Sequence, residues 1–464
     1  MGDDSLPATR RDALARAILS FVLVLGVPLA VASLPGLFDD GDTSWHVAVG
    51  QWIWREGAIP AADPFSFTAA GKPWVAMEWL ADLILAGAYA VAGLAGLAAA
   101  VAAALIALHA IVVAHLQRRA SPMVLVTVLL AMDVALAPFM LARPHVLVWP
   151  LLAAWTALLA RGAETGEPPP LWAALIPLAW TNLHGSFPLA AVIAAPLAFD
   201  ALVKAQWKTL KGWLILAAAS FAAVLINANG LAGLLQPFHV ANLKTLHLIQ
   251  EWQPSTPGFT PLFYAFLLLG LGVLLWKGTR VPLGRLALVL AMLGLAFLQV
   301  RHQSWFAIVA AILIPPLLGT RAEPAARVAR LALLAVPLVI ARALIPTQPP
   351  EDSANPRSLI AAIPPQLRGE PVFNEYSFGG PLILAGIRPY IDGRSELYGD
   401  DFLTDYVAIV GGDGARFDRA VEQYGIRWTV LPPDNGKLIA QLDSSGRWRR
   451  IYADKVGVIH VRTR

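Results

Sequence analysis

The sequence predicts a mainly α-helical, polytopic transmembrane bundle that carries a small α/β domain at its C-terminal end. Of the 464 residues, 57% are hydrophobic and only 14% are charged, a balance too apolar for a soluble globular protein. Long apolar segments separated by short polar loops continue to about residue 346, as expected of helices in a bilayer. From residue 357 the pattern becomes that of a soluble α/β domain.

The first predicted helix follows a basic N-terminus. Three arginines within residues 10–16 precede an apolar run over residues 17–35. Because positive residues stay on the cytoplasmic side, the N-terminus is expected in the cytoplasm. Residues 30–32 also resemble a signal-peptide cleavage site, so the run is either the first span or a removed signal. In both cases the residues that follow emerge on the outer face.

The first outer loop, residues 37–76, is a long polar stretch in an otherwise lipid-soluble sequence. It opens with a cluster of aspartates that includes Asp40 and Asp42. Asp42 is placed to cap a helix that runs from Thr43 to Gly57, where the glycine ends it. The cluster is therefore expected at the boundary between membrane and water.

Two interfacial helices are expected around this loop. Trp45, Val49 and Trp52 recur at i, i+4 and i+7, a stripe suited to lying at the membrane surface, where indole rings prefer the headgroup region. A second shallow helix is predicted over residues 78–92, before a crossing over residues 93–116.

Further apolar segments bring the total to about eleven spans. They cover residues 122–141, 145–160, 171–183, 187–203, 212–228, 261–277, 282–299, 303–319 and 329–346. Lys and Arg fall mainly in the loops that this layout places in the cytoplasm, as the positive-inside rule requires. The C-terminal domain is then extracytoplasmic, and the expected location is the bacterial inner membrane.

The predicted domains are a transmembrane domain over residues 1–346, a proline-rich linker over 347–356 and a soluble α/β domain over 357–464. The predicted strands of the soluble domain are PVFNEY, RPYID, RWTVLPP and a closing hairpin RWRRIYADKVGVIHVR, and its predicted helices lie near residues 378–386, 412–424 and 436–443.

Polar motifs collect on the outer face of this layout. Beside Asp40 and Asp42, they contain His46, Asp63, Arg143, His145, Asn182, His184, Glu251, Arg301 and His302. Polar groups at a membrane are costly, so their clustering on one side indicates a site. Each also has a structural reading: Asp42 as a helix cap, Asp63 as a turn residue, and the two arginines as anchors of helix ends.

This set of side chains suits the transfer of a group from a lipid phosphate. Arg143, His145, His184, Arg301 and His302 are the candidates for binding the donor phosphate. His46, Asp63, Asn182 and Glu251 are the candidates for positioning the substrate. Arginine offers a two-pronged contact to phosphate, while an aspartate takes a proton from an acceptor hydroxyl.

Composition excludes other chemistries. The chain has no cysteine, which excludes disulfides, thiolate metal sites and cysteine nucleophiles. Its basic residues are dispersed over short loops, so no nucleic-acid partner is expected. No metal ligands are assigned, although a divalent metal between Asp40, Asp42 and His46 stays open.

Several stretches carry a resemblance to a known superfamily. The first loop DGDTSWHVAVGQWIWREGAIPAADPFSFTAAGKPW, the motifs ARPH and NLHGSF, and the segment FNEYSFGGPLILAGIRPYIDGRSELYGDD resemble bacterial multi-pass proteins related to the GT-C integral-membrane glycosyltransferases. The resemblance implies a GT-C-like bundle, a polyprenyl-phosphate sugar donor and a catalytic first-loop aspartate. Asp40 and Asp42 match that position, and the acid spacing leaves the choice between them open.

The resemblance therefore implies an inverting transferase that moves a sugar from a polyprenyl-phosphate donor to an acceptor hydroxyl on the outer face, with an aspartate as general base. The partners are the lipid-linked donor, membrane lipid, and an acceptor that is a glycan, a lipid or a protein. Two alternatives remain open. One is a flippase for a lipid-linked saccharide, and the other is an envelope assembly protein whose C-terminal domain binds a glycan or a partner.

Overall fold

The computed structural model describes residues 18–318 and 328–463. Up to residue 344 the described chain is a bundle of apolar helices. They are α1 (Ile18–Val31), α2 (Asp42–Glu56), α3 (Trp79–Leu116), α4 (Pro122–Leu136), α5 (Pro144–Thr165), α6 (Leu175–Leu183), α7 (Leu189–Lys204), α8 (Leu210–Leu225), α9 (Gly230–Ala241), α10 (Pro261–Trp276), α11 (Leu283–Leu298), α12 (Gln303–Leu313) and α13 (Val328–Leu344).

Four helical segments in the described chain are long and apolar enough to cross a membrane, and a fifth qualifies if α8 and α9, bent by 93°, count as one span. The four are Trp79–Leu116, Pro122–Phe139, Pro144–Thr165 and Val300–Leu318. Each predicted span contains a helix, yet several helices have only 10–17 residues, shorter than the roughly 20 that a bilayer requires. The number of about eleven crossings therefore stays a prediction.

Helix α2 ends where the sequence predicted but begins differently. Gly57 ends it in a left-handed conformation with φ of 66°, which glycine adopts without strain. The predicted cap at Asp42 is wrong, because Asp42 is already the first helical residue and its side chain accepts no capping hydrogen bond. Its carboxylate instead faces a guanidinium group from another helix. In α3, Ala92 and Gly93 interrupt the helical backbone, at the predicted boundary between shallow helix and span.

The C-terminal tail, residues 357–463, forms a mixed sheet covered by short helices. Its helices are α14 (Arg357–Ala361), α15 (Gly379–Leu384), α16 (Ser395–Tyr398), α17 (Asp400–Val410), α18 (Gly414–Tyr424) and α19 (Gly436–Ser444), and its strands are β1 (Val372–Asn374), β2 (Trp428–Leu431), β3 (Trp448–Ala453) and β4 (Val458–Arg462). The strand order is β1-β2-β4-β3, with β1 parallel to β2 and the other neighbours antiparallel.

The predicted strand RPYID is wrong. In the described tail, residues 388–392 lie outside the sheet, and the Asn374 side chain is one of the groups that bind their backbone. The Asn374 side chain accepts a hydrogen bond from the Tyr390 N–H at 2.8 Å and donates one to the Ile391 carbonyl at 2.8 Å. This amide satisfies the backbone that a neighbouring strand would otherwise pair with.

The tail packs directly on α2. Trp45 and Val49 belong to one buried apolar cluster with tail residues such as Phe373 and Tyr390, and Trp52 packs against its edge. The expectation that this stripe lies against lipid headgroups is therefore wrong, because the tail covers it. On its other side, α2 approaches α3 closely at Gly50, where a Cβ atom would lie 2.1 Å from the Asp82 carbonyl oxygen.

Candidate active site

A cavity of about 1120 Å³ lies where α2, α3, α5 and α12 begin, and the tail closes one side of it. Its wall changes character from one end to the other. Charged residues of the first loop, the α5 N-terminus and the tail line one part. The other part is lined by apolar side chains that include Leu37, Phe139, Met140, Val192 and Trp305. The cavity is therefore suited to a molecule with a polar head and an apolar chain.

Arg143 stands at the centre of the charged part. It precedes the first turn of α5, where Pro144 starts the helix, so its side chain projects from the helix end into the cavity. Its Nη1 atom lies 2.8 Å from Asp40 Oδ2 and 3.3 Å from Glu251 Oε2, and its Nη2 atom lies 3.0 Å from Asp42 Oδ2. These three carboxylates raise the pKa of the guanidinium against the effect of its burial.

Arg301 forms the second cationic position. Its Nη1 atom lies 3.0 Å from Glu251 Oε1, and its guanidinium carbon lies 4.3 Å from the centre of the Trp252 ring. Glu251 therefore bridges the two arginines. Although burial raises the pKa of Glu251, Arg301 and Arg143 outweigh it and lower that pKa to about 2. Glu251 is thus a fixed anion that holds two guanidinium groups in place.

The two first-loop aspartates have different environments. Asp40 uses one oxygen to accept the Asp42 backbone N–H at 2.8 Å and the other to bind Arg143. Asp42 has a side chain that is 17% exposed. Burial raises the pKa of Asp42, Arg143 opposes the shift, and Asp40 and Glu251 add to it, which brings the pKa to about 7. Asp42 can therefore exchange a proton near neutral pH.

A second polar group lies beside Asp42 and centres on Glu78. The His184 Nδ1 atom accepts the Ser186 backbone N–H at 3.0 Å, so its Nε2 atom carries the proton and faces Glu78 at 3.3 Å. The His46 Nδ1 atom is hydrogen-bonded to Asp82 Oδ1 at 2.6 Å, and its Nε2 atom lies 3.7 Å from Glu78. Burial raises the pKa of Glu78 to about 7 and lowers that of both histidines.

The other two predicted histidines also reach the cavity. The Nε2 atom of His145 carries the ring proton and donates it to the Phe139 carbonyl at 2.7 Å, so the Nδ1 atom of the neutral ring is unprotonated. The His302 Nδ1 atom donates to the Leu295 carbonyl at 3.1 Å, and its ring stacks on Trp305. Both rings line the cavity and are oriented by backbone carbonyls.

Three predicted site residues lie outside the cavity lining. Asn182 accepts the Trp79 indole N–H at 3.0 Å and donates to two backbone carbonyls, one of them from Ile226. Asp63 accepts bonds from its own turn and binds Arg394 at 2.7 Å. His46 is likewise behind the wall, where it supports Asp82 and Glu78. The contacts of these three residues hold the protein framework together.

The sequence analysis did not select Glu78 and Asp82. A signal for them exists in the sequence, because these two carboxylates are four residues apart at the start of a long apolar helix, where acids are costly unless they serve a site. Glu396 belongs to the tail segment YIDGRSELYGDD. It lines the cavity, accepts the Trp74 indole N–H at 3.2 Å, and has a pKa raised by burial.

The tail closes the cavity with Tyr376, Gly393 and Glu396. The Tyr376 hydroxyl donates to the Gly393 carbonyl at 3.1 Å. Gly393 faces Asp42 so closely that a Cβ atom would lie 1.9 Å from Asp42 Oδ1. The tail backbone therefore contacts the aspartate that has the raised pKa.

A divalent metal between Asp40, Asp42 and His46 does not fit this arrangement. Arg143 occupies the position between the two aspartates, and His46 lies outside the cavity lining, where it contacts Asp82 and Glu78 instead of the aspartates. In residues 18–318 and 328–463, no group of three or more His, Asp or Glu side chains is arranged to hold a metal ion.

The fold is similar to that of solved structures of an archaeal oligosaccharyltransferase, so the resemblance seen in the sequence is confirmed at the level of the fold. One similar solved structure is the archaeal oligosaccharyltransferase AglB from Archaeoglobus fulgidus, in complex with an inhibitory peptide and a dolichol-phosphate. It is 11% identical, with a TM-score of 0.55, over 91% of this chain and 69% of that one.

A second similar structure is the oligosaccharyltransferase of the same organism in the apo form. It is 11% identical, with a TM-score of 0.52, and the match covers 90% of this chain and 69% of that chain. No protein-family model matches the sequence, and no curated protein matches it significantly. The likeness is therefore one of fold.

Proposed function

We propose that the protein transfers a sugar from a polyprenyl-phosphate donor to an acceptor hydroxyl on the extracytoplasmic face of the membrane, with inversion at the anomeric carbon. The observation that carries the proposal is the position of Asp42. Its carboxyl, with a pKa of about 7, opens into a cavity that holds two arginines at one end and an apolar wall at the other. The proposed general base, phosphate site and lipid site therefore lie next to one another in one cavity.

In the proposed reaction, Asp42 takes the proton of the acceptor hydroxyl as its oxygen attacks the anomeric carbon. The bond between that carbon and the phosphate oxygen breaks, and the polyprenyl phosphate leaves with the electron pair. Arg301 keeps guanidinium hydrogens beyond its single ion pair with Glu251, so it is the arginine better placed to contact the developing negative charge. One displacement step inverts the anomeric centre.

The similar structures support the class of donor. AglB was solved with a dolichol-phosphate and an inhibitory peptide, that is, with a lipid phosphate and a peptide in one protein of similar fold. The apolar part of the cavity, lined by Phe139, Met140 and Val192, supplies a comparable environment here for the first isoprene units of a donor. The acceptor would enter on the side that the tail closes.

The orientation belongs to the same proposal. Positive residues are concentrated in the loops that the predicted layout places opposite the first loop, and such loops stay in the cytoplasm. A reporter that is active only in the cytoplasm should remain silent when fused after Arg464. A strong signal from that fusion would place the cavity on the wrong side for the proposed donor.

The test uses the full-length protein in liposomes with a set of polyprenyl-phosphate sugars. Mass spectrometry should show free polyprenyl phosphate and a glycosylated acceptor. Arg301→Lys should weaken donor binding, because lysine loses the planar fork, while Arg119→Lys at the far end of α3 should not. Transbilayer movement of intact donor without cleavage would instead support the flippase alternative.

A further inference from the structure

The acidic centre of the cavity is already neutralised by a side chain. Three carboxylates, from Asp40, Asp42 and Glu251, converge on the guanidinium group of Arg143 at 2.8 to 3.3 Å. Asp40 and Asp42 come from the first loop, Glu251 comes from the loop before α10, and Arg143 precedes α5. Their convergence on one cation is therefore built by the fold.

A divalent cation would need the same oxygens. Calcium and magnesium take six or more oxygen ligands at about 2.0 to 2.6 Å, and the oxygens of Asp40 and Asp42 that face the centre are bound to Arg143. A guanidinium does not lose its charge at accessible pH. A metal ion placed among these carboxylates would therefore face a fixed positive charge.

Unlike a metal ion, the planar guanidinium group of Arg143 also fixes the orientation of the carboxylates that it binds. Its Nη1 atom bridges Asp40 and Glu251, while its Nη2 atom contacts only Asp42. The planar fork therefore fixes the Asp42 carboxylate through Oδ2 and leaves Oδ1 toward Gly393. Arg143 is thus suited to orient the base as well as to balance the charge of the acids.

We propose that Arg143 is the resident cation of this acidic centre and replaces a divalent metal, so that the chain binds its donor and transfers sugar without a metal ion. The claim that transfer needs no metal ion rests on the proposed function. The claim that Arg143 keeps a metal ion away concerns only the affinity of the three carboxylates for that ion, and this affinity is tested independently of transfer.

The experiment measures Mn²⁺ binding to the full-length protein by electron paramagnetic resonance and measures transfer after treatment with a chelator. The control variant is Arg119→Ala, which removes the cation of an ion pair at the opposite end of the bundle. The wild-type protein should bind no more Mn²⁺ than this control. The transfer rate of the wild-type protein should change less than about twofold with chelator or added Mn²⁺, a change as small as the deviation from additivity of two independent effects.

Arg143→Ala removes the cation and leaves the carboxylates facing each other. It should bind one additional Mn²⁺ per chain, and its transfer rate should fall about 10²-fold or more, with part of the loss restored by Mn²⁺. Arg143→Lys keeps the charge and should gain no Mn²⁺ site. If Arg143→Ala does not fold, the wild-type and Arg143→Lys measurements decide the question.

Each outcome separates the inference from the proposed function. Tight Mn²⁺ binding by the wild-type protein, with transfer abolished by chelator and restored by Mn²⁺, would overturn the inference and leave the proposed function standing. A gain of Mn²⁺ binding in Arg143→Ala, without sugar transfer by any form of the protein, would support Arg143 as the resident cation and contradict the proposed function.

Discussion

At the scale of single residues, the two first-loop aspartates divide the work. Both oxygens of Asp40 are engaged, one by the Asp42 backbone and one by Arg143. Asp42 shares Arg143 but has a pKa of about 7. A carboxylate whose oxygens are both occupied is suited to positioning, and one that titrates near neutral pH is suited to proton transfer. We therefore propose Asp42 as the base and Asp40 as a positioning residue, a choice that the sequence left open.

The pH dependence of transfer should report this assignment. Asp42 acts as a base only when deprotonated, so kcat/KM should rise with pH through about 7 and level off above it. Because the charge of Asp40 raises the pKa of Asp42, Asp40→Asn should move the rise to lower pH. Glu78, whose pKa is also about 7, serves as the control, since Glu78→Gln should keep the rise.

A profile that stays flat between acidic and alkaline pH would contradict the role of Asp42. A rise that disappears in Glu78→Gln would assign the titration to Glu78 instead. The two carboxyls have similar pKa values, so only the variants separate them.

Sequence reasoning selected the charged centre but not its supports. Asp40, Asp42, Arg143, Glu251 and Arg301 stand out as polar groups at predicted helix ends, and the fold brings them together. The link between His46 and Glu78 depends on how α2 crosses α3, and this crossing is set by tertiary packing. No pattern in a single sequence specifies how these two helices cross, so the pairing of His46 with Glu78 could not be predicted.

At the scale of elements, the crossing of α2 over α3 fixes the site. Gly50 allows the two backbones to meet, because any Cβ there would lie 2.1 Å from the Asp82 carbonyl oxygen. Asp82 in turn binds His46 at 2.6 Å. The approach of the helices therefore sets the position of the second polar group beside Asp42.

Gly50→Ala should separate these helices. Overpacking of this kind costs about 1–3 kcal/mol, so the unfolding temperature in detergent should fall and transfer should fall with it. The matched control is Gly270→Ala in α10, where nothing lies within 4 Å of the added Cβ. It should be neutral or slightly stabilising. Equal behaviour of both variants would show that the close crossing has no energetic role.

Helices and hairpins were predictable because their signals are local. The Gly57 stop, the break at Gly93 and the strands around the closing hairpin follow from glycine conformation and residue alternation. The RPYID segment and the Trp45 stripe were assigned wrongly, because both are covered by parts of the chain distant in sequence. In the sequence, an apolar stripe that another part of the protein covers has the same residue pattern as a stripe that faces lipid.

At the scale of the whole molecule, the tail is attached to the first loop through a buried ion network. Arg394, 1% exposed, binds Asp63 at 2.7 Å and Asp392 at 2.7 Å, and the Tyr398 hydroxyl donates to Asp392 at 2.6 Å. Burial raises the pKa of Asp392, but Arg394 outweighs it and lowers that pKa. This network is one of the contacts that hold the tail against the cavity.

Arg394→Met should weaken this attachment. It leaves Asp63 and Asp392 as buried carboxylates without their cation, which costs about 3–5 kcal/mol. Hydrogen exchange should increase in the first loop and the tail, and transfer should fall. Arg447→Ala, which breaks an exposed pair with Asp418, should leave exchange unchanged. Unchanged exchange in Arg394→Met would show that other contacts hold the tail.

The most direct test of the account is single-turnover sugar transfer by Asp42→Asn. Asparagine keeps the shape of the side chain but cannot take a proton, so transfer should fall about 10²–10⁴-fold while binding of the polyprenyl-phosphate donor persists. Asp40→Asn should lose less, because Asp40 acts by positioning. If Asp42→Asn transfers sugar at the native rate in a normally folded protein, Asp42 is not the base and the proposed reaction is contradicted.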